Sequence, residues 1–313
     1  MTEQIYDTVV IGGGAAGLSA ALVLGRAMRR VAVVRGGAAR NAPAQHMHGY
    51  LSREGMPPHE LLTLGAAEVA DYGGELLDDE VSSAEKAADG RTFTVRLVKG
   101  GELRARRLLV ATGLRDVLPE IAGAAERWGH EVLHCPYCHA YEVRDQRLAV
   151  IGGTEPGALA RAFHLGVLVP QWSQDTMFFP HTMLLSAEQR ARLAGRGVIV
   201  VDGEVVRFVI TDDRLRGVEL ADGRIIERDA VFVGPTFVPN AAVLESLGAT
   251  FDAAGWPVTD PSGQTTVAGV WAAGNVNNPG AQVITAAGAG STAAIALNAS
   301  LAEEDSPVPA ASM

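Results

Sequence analysis

The chain has 313 residues, 48% hydrophobic and 20% charged, with 26 basic side chains against 36 acidic ones and a formal net charge of −10. Such a length accommodates two ordinary domains, and the scattered excess of acid reads as a soluble surface that gives a nucleic-acid partner no footing. Met1 to Gln4 are polar and lead straight into an apolar run, so no signal peptide is expected and the cytoplasm is the expected compartment.

Ile5 to Ile11 is a short apolar run interrupted by Asp7, of the kind found in a parallel strand. Gly12-Gly13-Gly14-Ala15-Ala16-Gly17 follows at once, and a helical pattern then runs to about Arg29. This is G-x-G-x-x-G in its proper context of strand, turn and helix. Gly12 permits the tight turn, Gly14 lets a pyrophosphate approach the backbone, and Gly17 lets helix and strand pack closely. The helix start at Ala15 and Ala16 offers N–H groups and positive potential to the phosphates. Val31 to Val34 is the second strand. An acidic residue is expected near its end to hold the ribose hydroxyls, and Arg35 stands there instead.

Arg40-Asn41-Ala42-Pro43 and His46-Met47-His48-Gly49-Tyr50 form a polar, turn-rich segment leaving the C-terminal edge of the sheet, where ligands of such folds sit. Any one of these histidines is more often a surface residue than a catalytic one. Pro57 to Tyr72 reads as a helix with Leu61, Leu62, Leu64 and Val69 inward. Val81, Phe93 to Leu97 and Leu103 alternate as in an antiparallel meander, with turns at Asp89-Gly90 and Gly100-Gly101. Arg107 to Val110 is another buried strand, and it ends in the small-residue turn Ala111-Thr112-Gly113.

His134-Cys135-Pro136-Tyr137-Cys138-His139 holds the only two cysteines of the chain. Two thiols separated by two residues can close a disulfide, and each tunes the other when reduced. A zinc site would need four converging ligands, which His134 and His139 are badly placed to complete. Cys135 to His139 also matches the C-x-x-C-H pattern of haem attachment, but that haem is normally attached outside the cytoplasm. A plain structural disulfide wants an oxidising compartment. A redox-active dithiol is the best reading, and no metal is expected.

Arg147 to Ile151 is a new buried strand, followed by Gly152-Gly153-Thr154-Glu155-Pro156-Gly157 and a helix through Val169. This repeats the N-terminal unit with its cofactor features decayed. Thr154 replaces the middle glycine, and Glu155 places negative charge where a phosphate would sit. After the next strand, Thr176 to Phe179, no Arg or Lys occurs before Arg190, and His181 is the one residue there with a donor for a 2′-phosphate. Gly197 to Val201 and Val205 to Ile210 continue this region, Leu215 to Arg224 looks like a hairpin, and Ala230 to Gly234 is a last buried strand. Ala281 to Leu301 is uncharged over 21 residues but mostly alanine with polar interruptions, so it reads as a buried helix facing a ligand and not as a membrane span.

The N-terminal glycine turn, Ala111-Thr112-Gly113, Cys135-Pro136-Tyr137-Cys138, Trp271-Ala272-Ala273-Gly274-Asn275 and Gln282-Val283-Ile284-Thr285-Ala286-Ala287-Gly288 together resemble the low-molecular-weight thioredoxin reductase family of flavoproteins. The resemblance spans nearly the whole chain. It implies an α/β fold of two Rossmann-like, three-layer ββα dinucleotide-binding domains, the second inserted in the first. Residues 1–116 and 240–302 would form the FAD-binding domain, 117–239 an NAD(P)-binding-like domain carrying the CxxC, and 303–313 a mobile tail. The implied FAD-binding positions are Gly12, Gly14, Ala15, Ala16, Gly17, Arg35, Arg40, Asn41, His46, Val81, Ala111, Thr112, Gly113, Gly274, Asn275, Gln282 and Val283. At Asn275 the family usually has Asp for the ribityl hydroxyls. Arg35 is expected along the adenine face or at a phosphate.

The same resemblance implies that Cys135 is the exposed sulfur attacked by substrate and that Cys138 passes electrons to FAD, with His134 or His139 as base or merely a hydrogen-bonded spacer. The lost nicotinamide features resemble those of the flavin-dependent dithiol oxidases of disulfide-containing natural products, in which O2 reoxidises the flavin. NADPH is not expected, and NADH stays open. The implied partners are a small-molecule dithiol or a thioredoxin-like protein, O2 as acceptor, and a second copy in a homodimer, with no membrane. The rival readings are an NAD(P)H-dependent thioredoxin or disulfide reductase, a ferredoxin-linked reductase and a low-turnover flavin redox sensor.

Overall fold

The computed structural model describes residues 5–153 and 156–306. In chain order, β1 (Ile5–Ile11), α1 (Ala15–Arg26), β2 (Val31–Val34), α2 (Pro58–Asp71), β3 (Glu75–Leu77), β4 (Val81–Lys86), β5 (Phe93–Leu97) and β6 (Glu102–Val110) come first. They are followed by β7 (Leu114–Val117), β8 (Val132–Leu133), α3 (Pro136–His139), β9 (Leu148–Ile151), α4 (Pro156–Leu168), β10 (Thr176–Phe179), α5 (Ala187–Ala194) and β11 (Ile199–Val200). The chain ends with β12 (Val205–Thr211), β13 (Arg214–Leu220), β14 (Ile225–Glu227), β15 (Ala230–Val233), β16 (Thr236–Pro239), α6 (Ala242–Ser246), β17 (Val270–Ala272) and α7 (Val283–Asp305).

Two compact units result, the first made of residues up to 42, 56–115 and 239 onward, the second of 43–55 and 116–238. Both are α/β and built on a parallel sheet, as the resemblance implies. The segment 43–55, expected in the first unit, groups with the second. β7 and β16, on which the chain leaves the first unit and returns, pair with each other.

In the first unit the described strands run β3-β2-β1-β6-β5-β4, with β17 also on β6. β6 is long enough to serve two partners on one side. Its first half pairs antiparallel with β5, Ala105 opposite Phe93, and its second half parallel with β17, Leu109 opposite Trp271. Val9, Val10, Leu108, Leu109 and Val110 are buried because both sheet faces are covered. One face carries α1, α2 and α7 over Val10, Leu24, Leu109 and Leu297, and the other carries the β4–β5 meander and α6 over Val9, Phe93, Val95 and Leu244.

Two expectations shift here. On α2 the inward residues include Ala66 and Val69, whereas Leu64 lies on the exposed side, two positions off the Ala66 stripe. α7 meets the length and apolarity of a membrane-crossing helix. It buries only one stripe, through Ala286, Ala287, Gly290, Ala293, Ala294, Leu297 and Leu301, and leaves Ile295 61% exposed. A Cβ on Gly290 would stand 2.0 Å from the Ala16 carbonyl oxygen, so alanine and glycine are what let α7 lie against α1. The tail expected from Glu303 starts later, since α7 continues to Asp305, where Glu304 pairs with Arg106 and Arg107, and Asp305 with Arg29 and Arg106. Residues 307–313 lie outside the described chain.

In the second unit the described parallel strands run β11-β10-β9-β15-β8. Beside them, β12, β13 and β14 form an antiparallel meander. Its first turn, Asp212-Asp213, takes positive φ at both residues, which aspartate tolerates in tight hairpins. Val132, Ile151, Phe179 and Val231 face the meander across one core, and Val150, Phe178 and Phe232 meet α4 and α5 across the other.

Candidate active site

β1 delivers the chain to Gly12, where φ is +116° and a Cβ would stand 2.3 Å from the Ala111 carbonyl oxygen. Only glycine satisfies both conditions. A Cβ on Gly17 would lie 1.9 Å from the Gly12 oxygen, so α1 begins hard against the turn. Gly14 differs from both, because a Cβ there would meet nothing within 4 Å. The space in front of it is open. Gly14 is also the N-cap of α1, without a side-chain cap or an acid in the first turn. The N–H groups of Ala15, Ala16 and Gly17 are thereby left to an anion.

The C-terminal motif arrives at the same place. Gly274 has φ +81°, and a Cβ on it would be 2.9 Å from that of Ala16. Gln282 caps α7 with extended backbone and no side-chain bond, and Val283 opens that helix. Asn275 donates from Nδ2 to the Asn278 and Ala281 carbonyls at 3.0 and 2.9 Å, closing the loop before α7. Aspartate has no donor to do this. Thr112 donates from Oγ1 to the Asn240 carbonyl at 2.6 Å, while Asn240 returns bonds to the Thr112 and Gly113 carbonyls. An open glycine, uncapped helix N–H groups and a turn of small residues suit the pyrophosphate of a dinucleotide such as FAD.

Arg35 lies under Gly13, whose Cβ would fall 2.4 Å from its own. Its Nε is 2.7 Å from Asp78 Oδ1, although the N–H does not point at that oxygen, so the contact is an ion pair without a hydrogen bond. Arg35, Gly36, Gly37, Asp78, Asp79 and Lys99 are among the walls of a cleft of about 350 Å³. The carboxylate absent from position 35 is therefore present in space, supplied by the turn after β3. Val81 opens β4 opposite Leu97 beside a register irregularity, and Arg40 and Asn41 are half-buried in the same unit.

In the second unit β8 delivers His134 and Cys135. Pro136 begins α3, where a missing N–H costs nothing. The Cys138 and His139 N–H groups donate to the Cys135 carbonyl at 3.1 and 3.2 Å. This turn holds the two Cα atoms 5.3 Å apart, and the sulfurs are bonded to each other. Both cysteines are half-buried, while Tyr137 is exposed and sets its ring edge-on to Trp172. His134 stacks on Trp128 with ring centroids 5.3 Å apart. It also meets Phe237 edge-on at 6.3 Å.

Burial pushes the His139 imidazole below its ordinary pKa, opposed by the charge of Glu142. A neutral, half-buried imidazole directly after Cys138 can accept a thiol proton. His48 bridges two acids, with Nδ1 2.6 Å from Glu54 and Nε2 3.5 Å from Glu142. The bond from His48 holds the Glu54 carboxyl below the usual range. His46 is exposed, with Nδ1 3.0 Å from the Gly55 carbonyl.

The second glycine turn is filled by protein. A Cβ on Gly152 would stand 2.3 Å from the Pro180 oxygen and 2.6 Å from Met183 Sδ. His181 accepts the Val205 N–H at Nδ1, 3.0 Å away, and burial keeps its pKa low. Thr154 and Glu155 lie outside the described residues.

The first unit thus gathers the glycine turn, Arg35, Arg40, Asn41, Val81, Ala111 to Gly113, Gly274, Asn275, Gln282 and Val283. The second gathers His46, His134, Cys135, Cys138 and His139. Sequence reasoning passed over Asp78, Asn240, Trp128, Phe237, Glu54 and Glu142. Asn240, directly after Pro239 at the return to the first unit, had a positional signal; the others are brought in by topology alone.

Residues 6–290 match the family model for pyridine nucleotide-disulphide oxidoreductases. The solved structure of HlmI superposes with a TM-score of 0.91 at 53% identity, over 96% of this chain and 93% of that one. An oxidoreductase from Agrobacterium tumefaciens gives a TM-score of 0.88 at 36% identity, over 96% of this chain and 100% of that one. Thioredoxin reductase sirT of Leptosphaeria maculans is 30% identical over 307 residues, 94% of each chain.

Proposed function

The chain belongs to the pyridine nucleotide-disulphide oxidoreductase family, as a thioredoxin reductase-like flavoprotein, and on that premise we propose that it oxidises a dithiol to a disulfide with O2 as final acceptor. The observation that carries this reading is the occupied second glycine turn. Pro180 and Met183 fill the space a pyrophosphate would need at Gly152, and His181, the residue available to a 2′-phosphate, is committed to the Val205 N–H.

The chemistry falls to the Cys135–Cys138 bond. A substrate thiolate attacks Cys135, forming a mixed disulfide and releasing Cys138 as thiolate. The second substrate thiolate attacks the substrate sulfur of that mixed disulfide, closing the substrate disulfide and releasing Cys135. Two electrons now reside on the cysteine pair, and the substrate protons pass to nearby bases. His139, kept neutral by burial, is placed in sequence to take one. His134, held flat against Trp128, stands beside Cys135 to receive the other. When bound, FAD supplies a two-electron acceptor, and O2 carries the pair away as hydrogen peroxide.

A second reading has support in the name of one relative, a thioredoxin reductase. In it electrons run from a nicotinamide through FAD to a thioredoxin-like protein. Peroxide release tests the two. The FAD-loaded protein should form one peroxide per dithiol oxidised in air, and Cys138→Ser should lower that rate by at least a thousandfold. Absence of peroxide with dithiothreitol and other dithiols would remove the oxidase reading.

A further inference from the structure

Arg161 lies on α4, half-buried, at the C-terminal edge of the second parallel sheet. A Cβ on Gly234, the residue after β15, would be 3.8 Å from the Arg161 Cβ. Among the described residues no carboxylate faces its guanidinium, and its buried Nε has no hydrogen-bond partner. Its one close contact is the Phe237 ring, 5.5 Å from Cζ to centroid. Burial alone lowers its pKa, with no acid opposing. Arg106, Arg127 and Arg228, which are comparably or more deeply buried, each face a carboxylate.

A desolvated cation without a counter-ion is an unfavourable arrangement unless a ligand completes it. The surroundings say what kind. Phe237 touches His134 on its other side, and Trp128 backs His134. An aromatic row thus runs from the residue before Cys135 to the guanidinium. We propose that Arg161 and Phe237 form a substrate subsite that takes an acidic group, a carboxylate or comparable anion, on a dithiol whose apolar midsection lies along Phe237 and His134. The fork of the guanidinium matches a carboxylate, and the rings offer an apolar face. This deepens the dithiol-oxidase reading and rests on it for the word substrate.

Lipoate and lipoamide share one dithiolane ring and differ in whether the far end is charged, so they are the probes. Calorimetry on the full-length FAD-loaded protein should show lipoate binding at least about tenfold tighter than lipoamide, as one desolvated charge-assisted contact allows. Arg161→Gln should bring the two affinities within about twofold, and Arg161→Lys should restore part of the preference. The KM ratio of dihydrolipoate to dihydrolipoamide should follow the same pattern. Equal affinities in the unsubstituted protein, a preference that survives in Arg161→Gln, or an Arg161→Gln defect in NADH or NADPH binding in its place would overturn the subsite. Should Arg161 set the preference while neither dithiol is oxidised, the subsite stands and the oxidase reading falls. Should both dithiols be oxidised without preference, the reverse holds.

Discussion

Both glycine turns follow a buried strand and open a helix, and both begin with the same bond. Gly12 donates its N–H to the Val34 carbonyl and Gly152 donates to the Phe179 carbonyl, each at the end of the neighbouring parallel strand. Past that residue they diverge. The first turn leaves an open space before Gly14 and an uncapped helix start. In the second, Pro180 and Met183 close on Gly152, and His181 is held by the Val205 N–H. One supersecondary unit therefore serves two ends. Where the backbone stays bare it can accept a phosphate, and where the next loop packs into it the same unit becomes scaffold for the cysteine turn.

Substitutions at the glycines separate the two roles. Gly17→Val should be the most damaging, because its Cβ meets backbone oxygen at 1.9 Å. A loss of about 4 kcal/mol or more, read as insoluble or colourless protein, is expected. Gly14→Val should leave the fold alone and strike the ligand. The melting temperature of the flavin-free protein should move by no more than about 2 °C, while flavin affinity falls at least tenfold. Gly152→Ala should do the opposite, costing about 1–3 kcal/mol in denaturant titrations while purified protein keeps its flavin. If Gly152→Ala releases flavin, or Gly14→Val does not, the assignment of roles is wrong.

Smaller effects sharpen the contrast. Asn275→Asp removes the donor that bonds the Asn278 and Ala281 carbonyls, and about 1–2 kcal/mol of stability should go with it. Finally, His139 and His181 in the second unit both have pKa values lowered by burial. An unfolded histidine titrates near about 6.5. Between that value and the lower folded ones the unfolded chain binds more protons, so stability is full above the unfolded pKa and is lost as pH falls through the folded values. Chemical denaturation followed by Trp fluorescence should show the loss. His181→Gln, which keeps an acceptor for Val205 N–H without a titrating ring, should flatten part of the slope.

Much of the first unit was legible because its demands are local. A strand, three glycines in fixed spacing and a helix announce a phosphate-approachable turn, and Gly12, Gly14 and Gly17 each do what their place in the motif requires. The cysteine turn was equally plain, since two cysteines three apart with a proline between them can be placed without knowing the rest. What sequence could not show is what topology supplies. Arg35 looked out of place until β3 brought Asp78 beside it. Leu64 was assigned inward by hydrophobicity, but helix phase gives the core side to Ala66. The filled state of the second turn followed from Met183 and Pro180 folding back, which no spacing encodes. Arg161, Phe237, His134 and Trp128 come from an α-helix, a return strand, a strand exit and a loop, and only the fold makes them neighbours.

The most direct measurement is the anaerobic flavin absorbance of the FAD-loaded protein as NADPH, NADH and dithiothreitol are added in turn. The expected result is no rapid bleaching with either nicotinamide, bleaching with an equivalent of dithiol, and recovery on admitting air. Rapid bleaching by low-micromolar NADPH or NADH would contradict it, because the second glycine turn would then be an entry point for electrons and not a closed scaffold.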